Sequence, residues 1–123
     1  MPKNKELKDQ MGALRRAVPE LHGLLLASNE GLPIAHSLSN ATDPSRIGAL
    51  AAAVSSLGKR IADCINVGTL GDVSICTEKG TVFFYAAGSR AVLVALGPSG
   101  CNAGLVHIEA GIAAHNMGTW FNS

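Results

Sequence analysis

The stretch from Pro44 to Asn66, PSRIGALAAAVSSLGKRIADCIN, constrains the fold more than any other. Its large apolar residues Ile47, Leu50, Val54, Leu57, Ile61 and Ile65 recur at intervals of 3, 4, 3, 4 and 4. That spacing places all six on one face of a single long helix, a face expected to cover a sheet. Asp43 is a good N-cap and Pro44 a favoured first helical residue, while Gly68 is the expected stop. The opposite side lacks the usual run of charge. It offers Gly48, Ala49, Ala52, Ala53, Ser55 and Ser56, with charge confined to Arg46, Lys59, Arg60 and Asp63 near the ends. Small side chains let a second backbone approach closely. The helix therefore reads as covered twice, by its own sheet below and by another protein above. The plainer alternative is alanine selected for helix propensity on a solvated face.

A chain of 123 residues fits one domain with a real core. Charged residues make up 15%, below the roughly one quarter usual in globular domains, over an ordinary 47% apolar content. Few charges over a normal core imply surface buried in an assembly. A net charge of +1 with no basic run argues against nucleic acid as a partner. The longest apolar runs, such as Ala91–Leu96, are too short to cross a bilayer, and no signal segment opens the chain. Cys64, Cys76 and Cys101 lack metal-ligand spacing and are odd in number, so a reducing cytoplasm is the expected compartment.

In chain order, Leu7, Met11 and Leu14 define a short amphipathic helix over Lys3–Ala17, stopped by Pro19. Leu21–Ser28 is almost continuously apolar and reads as a strand buried on both faces. Asn29-Glu30-Gly31 forms a three-residue hairpin loop into Leu32–Ser37, and Pro33 consigns that strand to a sheet edge or its own start. After the long helix come Asp72–Thr77, Thr81–Ala87 and Arg90–Leu96, joined by Glu78-Lys79-Gly80 and Gly88-Ser89. Asn102 can cap a last helix over Ala103–Met117 with Leu105, Ile108 and Ile112 inward, and Met117, Trp120 and Phe121 can fold back onto the sheet or form a loose tail. The order α-β-β-α-β-β-β-α predicts an α+β sandwich: a five-stranded antiparallel sheet, order 2-1-5-4-3, with helices on both faces. Asp72–Thr77 then forms an edge with only one terminal charge, Asp72, an invitation to pair with another chain.

Catalytic patterns are missing from the sequence. There is no GxxxxGK[ST] loop and no GxGxxG between a strand and a helix. His107 and His115 fall eight residues apart, too far for one metal without further ligands. Ser28 and His36 form a conceivable pair across the first hairpin, without a strained elbow around the serine. The cysteines, in apolar settings, are expected to be inert core thiols. Phe83, Phe84 and Tyr85 must alternate faces of a strand, which makes them core filling rather than a base-stacking platform. No catalytic residue, metal or cofactor is expected.

The run HGLLLASNEGLPIAHS, His22 to Ser37, resembles the signature hairpin of the roadblock/dynein light chain family in its bacterial and archaeal MglB-like branch. The resemblance continues through GALAAAVSSLGKRI, TEKGTVFFYAAGSRAVLVAL and CNAGLVHIEAGI. It implies a profilin-like sandwich and a homodimer, with the middle helix beside its mate and the third strand paired with its copy. The paired helices would form a platform for a small Ras-like GTPase whose hydrolysis the dimer stimulates without supplying an arginine finger. By position, that platform is Arg46, Ala49, Ala53, Ser56, Arg60 and Asp63. The dimer interface is Gly48, Ala52, Ser55 and Lys59 with Val73, Ser74, Ile75 and Cys76. Two other roles stay open: a structural adaptor dimer without effect on hydrolysis, and a small-ligand sensor, which needs a polar pocket.

Overall fold

The computed structural model describes residues 4–122, and the side chains of residues 5–119. Its elements are α1 (Asn4–Ala17), β1 (Gly23–Ser28), β2 (Pro33–Ser37), α2 (Pro44–Ile65), β3 (Asp72–Cys76), β4 (Gly80–Ala87), β5 (Ala91–Pro98) and α3 (Ala103–Asn122). The five strands form one antiparallel sheet in the order β2-β1-β5-β4-β3, as the hairpin reading requires. Lys3, and the side chains of Trp120 and Phe121, lie outside the described residues.

The central strands β1 and β5 are apolar on both faces because both faces are covered. Leu24, Leu26, Leu93 and Ala95 face one layer with Leu7, Met11 and Leu14 of α1 and Val106, Ala110 and Met117 of α3. Leu25, Val92 and Val94 face the other with Ala51 of α2. Phe83 and Tyr85 stack in the first layer, ring centroids 6.4 Å apart, while Phe84 turns to the second. The three consecutive aromatics thus fill two cores by strand alternation alone.

Helix ends follow local chemistry. The Asp43 carboxylate accepts the Ser45 N–H at 3.0 Å and opens α2. The helix stops two residues before the expected Gly68. Asn66 takes the left-handed conformation (φ 56°) and the Val67 N–H returns to the Ala62 carbonyl, the six-to-one bond of a Schellman end. Asn102 caps α3 through its side-chain oxygen, which accepts the Leu105 N–H at 3.1 Å. Gly31, at φ +93°, supplies the positive φ that the first hairpin loop needs.

The two long helices correct the expected faces. On α3, Leu105, Ile108 and Ile112 point outward, and Val106, Ala110, Ala113, Ala114 and Met117 point in. A Cβ at Gly118 would collide with the backbone of Gly88, which shows how near α3 lies to the β4–β5 turn. On α2 the buried residues are Gly48, Ala51 and Ala62, flanked by half-buried Ile47 and Val54. Helices seated this close to a sheet have no room for leucine beneath them, so small residues line the contact and large ones are displaced outward.

Candidate functional site

The sheet-facing line of α2 is Gly48, Ala51, Ser55, Gly58 and Ala62, itself spaced 3, 4, 3 and 4. Relative to the large apolar stripe, the inward direction is rotated by roughly a quarter turn of a 3.6-residue helix. Gly48 sets the distance: a Cβ there would lie 2.5 Å from the Gly31 carbonyl oxygen. At the other end, a Cβ on Gly58 would lie 2.9 Å from Leu70 Cδ2.

This rotation leaves Leu50, Leu57, Ile61 and Ile65 exposed by 53–62%, and Val67 beyond the helix by 68%. Between this flank and β3 runs an apolar groove of about 480 Å³, lined by Leu57, Ile61, Ile65, Leu70, Val73 and Ile75. Burying one such side chain fully is worth about 1.5–3 kcal/mol. Such a concentration of exposed aliphatics marks a surface for another macromolecule rather than for water.

The strand bordering the groove is an open edge. β3 pairs with β4 on one side, from Asp72↔Tyr85 to Cys76↔Thr81, and ends the sheet on the other. Val73 is half-buried, while Ser74, Ile75 and Cys76 are exposed. Arg46, Ala49, Ala53, Ser56, Arg60 and Asp63 are also all exposed and follow one line at spacing 3, 4, 3, 4, 3 on the outward face of α2. The expected interface flank is different. Gly48 is buried against the first hairpin and cannot meet a second copy; Ala52 and Ser55 are half-buried, and Lys59 alone of the four is exposed. The large exposed apolar side chains of α2 are instead Leu50, Leu57, Ile61 and Ile65. A second small-residue line with helical spacing was the sequence signal for their exposure.

The other candidate groups read from the sequence are placed as follows. The Ser28 hydroxyl accepts the Leu32 N–H, and His36 lies opposite Leu25, so the two are not brought together. His107 Nδ1 lies 3.6 Å from Asp72 Oδ2. Tyr85 has its hydroxyl pushed up to about 12 by burial, then by the Asp72 carboxylate and Cys101, and so stays neutral at ordinary pH. These three groups and His115 line a cleft of about 380 Å³ beside α3. Cys64 and Cys76 are exposed and Cys101 half-buried, contrary to the expected core thiols, because α2 turns Cys64 outward and Cys76 ends the edge strand. Among the described residues no group of three His, Cys, Asp or Glu is placed to hold a metal, and no helix is long and apolar enough to cross a membrane.

Residues 7–97 match the family model of the Roadblock/LC7 domain. An uncharacterized protein of Methanocaldococcus jannaschii is 32% identical over 101 residues, which span 82% of this chain and 88% of that protein. The fold is similar to that of Myxococcus xanthus MglB, with a TM-score of 0.87, 18% identity and 95% of each chain covered. It is also similar to a Roadblock/LC7 domain from Streptomyces avermitilis, with a TM-score of 0.85, 21% identity, and 93% of this chain and 96% of that one covered.

Proposed function

The chain belongs to the Roadblock/LC7 domain family, and from that premise we propose that it is a homodimeric, non-catalytic regulator or scaffold for a small Ras-like GTPase. The exposed aliphatic flank of α2 beside the open edge of β3 carries this reading. Two copies related by a two-fold axis can join their β3 edges and cover each other's Leu57, Ile61, Ile65 and Ile75. Both actions use one surface patch on each copy, as an isologous interface requires.

The outward line Arg46, Ala49, Ala53, Ser56, Arg60 and Asp63 remains uncovered in such a dimer. Two of these lines, one from each copy, form the platform for the GTPase. Small residues at its centre admit close contact, and the charges at its ends fix orientation. Among the described residues that face carries no metal cluster or phosphate loop, so on this reading any stimulation of hydrolysis acts by positioning the GTPase's own residues.

The test is single-turnover GTP hydrolysis by the cognate GTPase with and without this protein, paired with binding in both nucleotide states. Binding that is lost in Ala53→Trp, with the dimer intact, supports the platform. Absence of binding in either nucleotide state would sink the reading. Binding with unchanged hydrolysis selects the adaptor role.

A further inference from the structure

The sheet face opposite α2 carries a concentration of positive charge. Between α1 and β2 lies a pocket of about 230 Å³ lined by Lys8, Met11, Gly12, Arg15, His36 and Ser37, with no carboxylate among them. Lys8, Gly12 and Arg15 follow the i, i+4, i+7 spacing of one helix face, and His36 and Ser37 approach from the edge strand. The Arg15 guanidinium is held in place by neutral acceptors. Nη1 donates to Ser37 Oγ at 2.6 Å and to the Ser37 carbonyl at 3.4 Å, and Nη2 donates to the Leu21 carbonyl at 3.5 Å. A third cation lies close by, since Arg16 Nη1 is 3.3 Å from where a Cβ on Gly12 would stand.

Among the described residues, Lys8, Arg15 and Arg16 form no ion pair. Glu6 and Asp9, the acidic residues of α1, do not line the pocket. In a chain with only 15% charged residues and a net charge of +1, gathering three permanent cations without an anion is not a composition effect. Lys8 and Arg15 line the pocket and Arg16 lies beside it, and a bound anion would offset this local concentration of positive charge.

We propose that this pocket binds a phosphate monoester. A monoester carries about −1.5 to −2 charge at neutral pH, which matches a cluster of three cations better than a single carboxylate does. The fixed guanidinium of Arg15 presents its remaining N–H donors in the planar fork that pairs with phosphate oxygens. Gly12, without a side chain, leaves the floor open to the anion. The phosphate can belong to a soluble monoester or to a phosphorylated lipid headgroup. The pocket lies on the sheet face opposite α2, so its occupation is compatible with α2 engaging a protein and does not rest on that reading.

The experiment is an amide NMR titration of the full chain with inorganic phosphate against chloride and glutamate at matched ionic strength. A parallel arm measures flotation with vesicles containing a phosphatidylinositol phosphate or only phosphatidylcholine. Saturable shifts at Gly12, Arg15, His36 and Ser37 with phosphate alone are expected. Lys8→Gln, at an exposed position that leaves the fold intact, should weaken binding by about tenfold, the scale of one charge-assisted contact. Phosphate binding without flotation identifies a soluble monoester, and phosphate binding with flotation only on the phosphorylated lipid identifies a headgroup. Shifts absent with phosphate, matched by chloride or glutamate, or unchanged in Lys8→Gln would overturn the proposal.

Discussion

At one margin of the sheet β2 opens with Pro33, which has no N–H to offer a neighbouring strand, and Arg15 reaches across from α1 to bond Ser37. At the other margin β3 has no proline, its one charge is Asp72, and it borders an apolar groove instead of a packed helix. The backbone liability at the two edges is the same: a row of unpaired donors and acceptors. The chain blocks one edge with proline and the fixed Arg15 guanidinium and leaves the other bare beside exposed aliphatics. An unguarded edge beside an apolar groove suits strand pairing, which is why the proposed reading assigns the β3 side and not the β2 side to a second copy.

The largest expected effect breaks this contrast at the open edge. Ile61→Asp should weaken self-association by at least about 100-fold, roughly 3 kcal/mol for a desolvated, unpaired charge at an interface. Ile61 is 53% exposed in the single chain, so circular dichroism should show an unchanged fold while sedimentation shows the loss. His36→Asp, the matching change on the β2 edge, should leave association untouched. Next in size, Arg15→Ala should lower unfolding stability by about 1–2 kcal/mol in a denaturant titration, through the lost bonds to Ser37 and Leu21, again without altering association.

The effect confined to the narrowest range of conditions concerns Tyr85, whose strand partner is Asp72 at the start of β3. Its hydroxyl is raised from 10.0 to about 12, so the fold favours the neutral form. The unfolded chain ionises first as pH rises. Stability from this source is complete below pH 10 and declines between about 10 and 12. Tyr85→Phe should flatten that part of the profile in pH-dependent unfolding.

Strand order and helix layering were legible because hairpin lengths, Pro33 and the two doubly apolar strands leave few arrangements open. The cap at Asp43 was equally clear, because capping is local chemistry. The faces of α2 and α3 were not legible in the same way. Periodicity finds an apolar stripe but does not say whether Leu57 and Ile61 lie beneath the helix or on its flank. Gly48 and Gly118 decide that, through backbone approaches that exist only after the chain has closed on Gly31 and Gly88. The outward line from Arg46 to Asp63 was placed on the exposed face from sequence. The line Gly48, Ala52, Ser55 and Lys59 was also read as outward, but Gly48 is buried and Ala52 and Ser55 half-buried, because small residues serve close approach to the chain's own sheet as well as to a partner.

Sedimentation equilibrium of the unmodified chain over a range of concentrations tests the pairing of the α2 flank and β3 edge most directly. A species of twice the 12.6 kDa chain mass, converted to single chains by Ile61→Asp, is the expected result. A single-chain mass at every concentration, or a dimer indifferent to Ile61→Asp, would contradict it.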